Sequence, residues 1–287
     1  MSDATPSASV LLGPAEIRDL ADLLGIQPTK KLGQNFVVDA NTVRRIVRIA
    51  GVSAGDSVVE VGPGLGSLTL GLLETGASVV AVEIDRRLAE QLPVTVGQLQ
   101  PTAALTVITA DAMRVEELPG EPTVLVANLP YNISVPVLIH LLTTFPGISS
   151  GLVMVQSEVG QRLAAPPGSK IYGSPSVKAA WFGAWRTAGQ VSRQVFWPVP
   201  NVDSVLVGFR LRDELLGTIE EREATFRLVD GAFQQRRKML RQSLADALGG
   251  SAAATEAMTA AGVDPTARGE QLTVHDFLAI VRALQTA

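Results

Sequence analysis

The segment "NLPYNIS" (residues 128–134) follows the apolar run "TVLVA" without a break. Such a run reads as a buried strand, so Asn128 stands at a strand end, where open α/β sheets hold their ligands. A turn at this point needs Asn and Pro, but it does not need the ring of Tyr131. Asn128 offers a side-chain oxygen, and the Leu129 and Pro130 carbonyls can point into the same space. Pro130 sets the bend and removes a competing donor. Tyr131 can stack on a flat ring, a contact worth roughly 1–3 kcal/mol. Together these groups suit a planar amine, whose two N–H groups need two acceptors. The plainer alternative is a structural Asn-Pro turn with a core Tyr, and the segment alone leaves both open.

A second cluster lies upstream. "EVGPGLGSLT" places Gly62, Gly64 and Gly66 behind an apolar run, with Glu60 two residues before the first of them. A dinucleotide fingerprint asks for glycine at 62, 64 and 67, but position 67 is Ser, which argues against a dehydrogenase. The next apolar run ends in "VEID", where Glu83 can accept both hydroxyls of a ribose. The one after ends in "AD", where Asp111 can accept from the exocyclic amine of an adenine. A glycine turn packing a helix, with Glu83 and Asp111 as helix caps, would use the same residues. Three carboxylates at three successive strand ends favour the ligand: a ribose and an adenine without a phosphate signature point to S-adenosylmethionine. Opposite such a donor, the Asn128 acceptors would hold an amine such as N6 of adenine, whose lone pair is otherwise delocalised into its ring. Catalysis would then be positioning and electrostatics.

The elements that must carry these residues follow from the pattern. "PAEIRDLADLLGI" has a helical apolar face, with Pro14 at its start, and a second helix is expected from about Asn41 to Ala50, closed by Gly51. Strand patterns at 56–61, 77–85, 104–111, 123–128 and 151–158 alternate with helical ones, which predicts a parallel sheet covered on both faces. The runs "QVSRQVF" and "DSVLVGFRL" are expected to complete it as an antiparallel pair, and from about Glu220 the pattern is entirely helical. The expected architecture is an α/β sheet of about seven strands, mostly parallel, followed by a small all-helical domain.

Composition narrows the chemistry. Of 287 residues, 46% are hydrophobic and 18% charged, which describes a globular chain. With no cysteine there is neither thiolate catalysis nor a zinc-thiolate site, and two distant histidines, His140 and His275, make a poor metal site, so no metal is expected. No basic leader or apolar span stands out, so a cytoplasmic protein without membrane contact is expected. The net charge of −4 hides a segregation. Residues 29–48 (Lys30, Lys31, Arg44, Arg45, Arg48 against Asp39) and 227–241 (Arg227, Arg236, Arg237, Lys238, Arg241 against Asp230) carry +4 each, leaving −12 for the remainder. Localised positive charge suits a phosphate backbone, although a solvated helix face would look the same.

"TKKLGQNFVVD", "VVEVGPGLGSLT", "VAVEID", "ADAM", "NLPYNIS", "FWPVPNVDS" and "FQQRRKMLRQSL" occur in an order and spacing that resembles the ribosomal RNA adenine N6,N6-dimethyltransferases, over about residues 28–280. The likeness is greatest to the small-subunit branch, which modifies two adjacent adenosines in the 3'-terminal hairpin loop of 16S rRNA. "GPGLGSLT" and Leu129 favour that branch over the large-subunit one. A purely non-catalytic relative could have lost Asn128 or Tyr131, and this chain keeps both.

The resemblance implies a Rossmann-like class I methyltransferase fold with a C-terminal helical domain. The expected parts are an N-terminal extension at 1–27, the S-adenosylmethionine-dependent domain at 28–212 and an RNA-binding domain at 213–287. It implies donor contacts at Asn35, Val37 (through its backbone), Gly62, Glu83, Asp111, Ala112 and Asn128. The target-amine site would be Asn128, Leu129, Pro130 and Tyr131, with Phe196 as the second face of a base sandwich. RNA contacts are expected at Arg236, Arg237, Lys238 and Arg241, with Arg237 and Arg241 one turn apart on a single helix. The expected partner is 16S rRNA within the small ribosomal subunit or its precursor, bound by a monomer. Ser157 and the pair Ser174-Pro175 depart from the family pattern in segments expected to face RNA.

Overall fold

The computed structural model describes residues 11–26, 35–130 and 133–286. The elements, in chain order, are α1 (Pro14–Leu23), β1 (Phe36–Val37), α2 (Ala40–Ala50), β2 (Ser57–Val61), α3 (Ser67–Leu73), β3 (Ser78–Glu83), α4 (Arg86–Leu99), β4 (Leu105–Thr109), β5 (Val124–Asn128), α5 (Ser134–Thr144), β6 (Ser150–Gln156), α6 (Ser157–Leu163), α7 (Ser174–Phe182), β7 (Gly183–Val191), β8 (Phe196–Trp197), β9 (Ser204–Leu211), α8 (Ile219–Gln234), α9 (Leu240–Ser243), α10 (Ala245–Leu248), α11 (Ser251–Ala260) and α12 (Val274–Thr286).

The chain divides into two compact units. One comprises residues 1–160 and 187–209, the other 161–186 and 210–287. A single boundary at residue 212 would have left 161–186 with the first unit.

The main sheet has the order β4-β3-β2-β5-β6-β9-β7, and a second, two-stranded sheet pairs β1 with β8 antiparallel. The pairs β2–β3, β3–β4, β2–β5 and β5–β6 are all parallel. The central strands β2, β3 and β5 are rich in Val, Leu and Ala because a parallel strand inside the sheet is covered on both faces, whereas the edge strand β4 is half-buried or exposed. Strand order reverses between β2 and β5, so the carboxyl ends of β2, β3, β4 and β5 border one crevice at a topological switch point.

Local signals explain the helices around this crevice. Asp39 caps α2 by accepting from the Thr42 N–H at 2.7 Å, and Gly51, left-handed at φ 72°, ends it. Val43, Ile46 and Val47 form its buried face, within a core that also includes Ile17, Leu70, Val58 and Val126.

One expected strand differs from what is found, and another strand was not expected. The run at 190–196 is not one strand: β7 ends at Val191, a 3₁₀ turn spans Arg193–Val195, and β8 begins at Phe196. The residues of β7, "GAWRTAGQV", lack an apolar alternation and are mostly exposed or half-buried, which hides the strand from a pattern search. Helix α7 was likewise hidden behind the Gly- and Pro-rich stretch before it.

The second unit is helical, with α8 packed on α7, α9 and α12, and α11 on α12. Phe226 meets Trp181 and Phe182 edge-on, and the Tyr172 hydroxyl donates to the Leu272 carbonyl at 2.8 Å.

Candidate active site

A cleft of about 1130 Å³, its open mouth included, lies within the first unit at the switch point. It is lined by Asn35–Val37, by the glycine turn from Glu60 to Leu68, by Val82–Ile84 after β3, by Ala110–Ala112 after β4, and by Asn128–Pro130 after β5. The sequence-predicted donor residues Asn35, Val37, Gly62, Glu83, Asp111, Ala112 and Asn128 therefore share one cavity, together with Leu129 and Pro130. Tyr131 lies outside the described residues. Phe196 is not among the lining residues; it is 2% exposed, in the core, and pairs with Val37 in the small sheet.

Each polar group in the cleft is set by backbone. Gly62, Gly64 and Gly66 all have positive φ, which turns the chain sharply between β2 and α3. At Gly64 the reason for glycine is also one of space, because a Cβ would lie 2.8 Å from the Phe36 ring. The Glu83 carboxylate accepts from the Gly64 N–H at 3.1 Å and from the Asp85 N–H at 2.9 Å. Burial raises its pKa above the ordinary carboxylate value, and these backbone donors pull against that shift. Asp111 accepts from the Met113 N–H at 2.9 Å through one oxygen.

Asn128 is the most tightly specified of the set. Its side-chain Nδ2 donates to the Asn35 backbone carbonyl at 3.0 Å. A carbonyl can only accept, so this bond fixes which end of the amide is which and leaves Oδ1 as the acceptor. Beyond it, the Leu129 N–H donates to the Met154 carbonyl at 3.1 Å, and the Leu129 side chain is buried. The Pro130 carbonyl accepts from the Ile133 N–H at 3.3 Å, closing the turn into α5. That bond uses part of the acceptor capacity expected of Pro130 toward an amine.

Two cleft residues had no named contact among the sequence expectations, where Glu60 counted only as one of three strand-end carboxylates. Glu60 is 1% exposed, and one of its carboxylate oxygens has no hydrogen-bond partner. Burial pushes its pKa up to about 8, against the nearby Thr69 hydroxyl and with help from the Glu83 charge. Thr69 completes no hydrogen bond to it. Ser67 had served only as a missing glycine. It is 6% exposed, and its hydroxyl donates to the Val37 carbonyl at 2.6 Å. An unpaired acid before a glycine turn and a Ser opening its helix are the signals that could have found them.

The basic run lies in the second unit and is not one helix. Helix α8 ends at Gln234, residues 235–239 form a turn, and Arg241 sits on the short α9. At the start of α9 the Leu240 and Arg241 N–H groups donate to the Ala267 and Pro265 carbonyls. Arg236 pairs with Glu270 at 2.7 Å and donates to the Lys170 and Ser169 carbonyls at 2.6 and 3.4 Å. Arg237 and Lys238 are exposed, and neither forms an ion pair among the described residues. Of the departing serines, the Ser157 hydroxyl donates to the Asp203 carbonyl at 2.9 Å, and Ser174 donates to Asp230 at 2.9 Å. His140 contacts the Val115 carbonyl through Nε2 at 2.9 Å. Among the described residues no cluster of His, Asp or Glu could hold a metal, and no helix is long and apolar enough to cross a membrane.

Known proteins resemble this chain in sequence and in fold. The sequence model of the family described as "Ribosomal RNA adenine dimethylase" matches residues 26–286. The "Ribosomal RNA small subunit methyltransferase A" of Leifsonia xyli subsp. xyli is 71% identical over 270 residues, covering 93% of this chain and 96% of that one. The protein of the same name from Streptomyces coelicolor is 59% identical over 283 residues, covering 98% of each. Among solved structures, a dimethyladenosine transferase from Plasmodium falciparum superposes with a TM-score of 0.70 at 23% identity, covering 86% of this chain and 96% of its own. The 23S rRNA methyltransferase ErmE does so with 0.63 at 27%, covering 88% and 100%. The sheet is thus that of the S-adenosylmethionine-dependent methyltransferases.

Proposed function

The chain belongs to the ribosomal RNA adenine dimethylase family, whose methyl donor is S-adenosylmethionine, and from that premise we propose that it dimethylates N6 of two adjacent adenosines in the 3'-terminal hairpin loop of 16S rRNA. The substrate would be the small ribosomal subunit or its precursor, met in the cytoplasm by a monomer. The high identity to relatives named for the small subunit supports that choice over the large one.

The cleft fits the donor on its own chemistry. Glu83 has lone pairs beyond those held by Gly64 and Asp85, enough for two ribose hydroxyls. Asp111 keeps one oxygen for the adenine amine, with buried Ala112 beside it. Glycine at 62 and 64 lets backbone approach closely, and Glu60 lines the same cleft. Asn35 and Val37 border the same space. When bound, the donor would supply an electrophilic methyl group on a sulfonium, toward which Asn128 would hold the target amine.

The single observation that carries this reading is the fixed amide of Asn128. Its Oδ1 is the acceptor left at the carboxyl end of β5, in the cleft that holds the donor residues. It takes one N–H of the target amine, and the backbone carbonyl of Leu129 or Pro130 takes the other. Holding both favours a tetrahedral nitrogen whose lone pair is free to attack. The adenosine must leave its stack to reach this site. Tyr131 would support the base on one face. Phe196, being buried, would back the other wall of the site through β8. Arg237, Lys238 and Arg241 would meet phosphates, with Arg236 shaping the segment that presents them.

The test is to supply purified protein, labelled donor and small subunits from a strain lacking the modification, and then to map stops by primer extension. Stops at two adjacent adenosines near the 3' end are expected. Label appearing only in large subunits would overturn the reading.

A further inference from the structure

Residues Asn35–Val37 are bound to two walls of the cleft, the end of β5 and the glycine turn that opens α3. The Asn35 carbonyl takes the Asn128 amide at 3.0 Å. The Phe36 ring lies on Gly64 and stacks with Trp197, their centroids 6.3 Å apart and their planes 24° from parallel. The Val37 carbonyl takes the Ser67 hydroxyl at 2.6 Å, a short bond in a buried place. Ser67 is the first residue of α3, directly after the glycine turn.

An amide side chain turns easily about its last torsion and presents an acceptor one way and two donors the other. A donor facing the N–H groups of an amine would repel them. The orientation of Asn128 therefore depends on where the Asn35 carbonyl stands, and that carbonyl is two residues from the point that Ser67 holds. We propose that Ser67 is a positioning residue for methyl transfer: through the strap 35–37 it keeps the Asn128 oxygen, and not its nitrogen, toward the target amine. This rests on the function proposed above. It also gives position 67 a reason to be Ser where a dinucleotide site has Gly.

Misplacing a reacting group by about 1 Å can cost on the order of 10²-fold in rate. Ser67→Ala removes the hydroxyl alone, and we expect about a tenfold slower single-turnover rate at saturating donor. Affinity for S-adenosylhomocysteine, read by calorimetry, should change less than about threefold. In the full chain labelled with ¹⁵N, the Asn128 side-chain amide resonance, identified by its disappearance in Asn128→Ala, should shift in Ser67→Ala. Phe36→Leu loosens the same strap, so the double variant should lose less than the product of the two single losses. A rate within twofold of the parent, an unmoved Asn128 resonance, or losses that multiply would overturn the proposal. Failure of the parent protein to methylate small subunits would count against the function instead, and the Asn128 resonance would still decide the strap.

Discussion

The cleft of the first unit and the basic turn of the second both drew attention as dense clusters of polar residues, yet they spend those residues differently. In the cleft, Glu83, Asp111 and Asn128 each make one or two bonds to backbone and, in the proposed function, keep the remaining acceptor capacity for a ligand. In the basic turn, Arg236 gives its guanidinium to Glu270 and two backbone carbonyls, while Arg237 and Lys238 remain exposed. A charge run in a sequence therefore overcounts the groups open to a partner. Acids and amides at successive strand ends do not, because the sheet itself directs them into one crevice.

The largest effect that would sharpen this contrast is Asn128→Ala. It removes the fixed acceptor, and turnover should fall by at least roughly 10²-fold, the usual scale for losing one aligned group at a reacting centre. Binding to small subunits, measured by filter retention, should stay within a few-fold. Methylation near the parent rate would break the comparison at its centre.

Glu60 comes next. Its folded pKa of about 8 lies above its ordinary value of 4.5. Below pH 4.5 both folded and unfolded chains carry the proton, and the stability due to it is fully present. Between pH 4.5 and 8 the unfolded chain ionises first, so that stability is lost as pH rises. Glu60→Gln cannot ionise and should escape the loss. The variant should match the parent near pH 4 and exceed it at pH 7 by roughly 3 kcal/mol at most. Thermal midpoints compared across that range would show the gap opening, and parallel curves would contradict it.

A smaller effect separates the basic residues from one another. Arg236→Ala should cost about 1–2 kcal/mol in stability, because it strips a half-exposed ion pair and two backbone acceptors of their donor. Its salt dependence of RNA binding should be unchanged. Arg237→Ala with Lys238→Ala should do the reverse, keeping stability and lowering the salt slope by about one per lost phosphate contact. If Arg236→Ala alone lowers the slope, the ion pair with Glu270 opens when RNA binds.

How much of this was legible in residue order follows the same division. The five parallel strands, the Gly51 end of α2 and the shared crevice came from periodicity and from Gly and Pro at element ends, all short-range signals. β7 and α7 did not, because nothing in "GAWRTAGQV" alternates and "PPGSKIYGSP" reads as loop throughout. Ser67 was visible only as an exception to a fingerprint, since its partner lies 30 residues away. The break between α8 and α9 was equally hidden, for the N–H groups that open α9 bond carbonyls at 267 and 265 that no local pattern announces. Phe196 carries its family motif, but its burial against the core is a tertiary fact.

The central claim is that the cleft brings a methyl donor to an amine held by Asn128. The most direct measurement is a nucleoside digest of small-subunit RNA after reaction with protein and donor, analysed by mass spectrometry. About two N6,N6-dimethyladenosines per subunit are expected with the parent protein and essentially none with Asn128→Ala. Methyl groups found on any other base atom, or an Asn128→Ala digest that matches the parent, would contradict it.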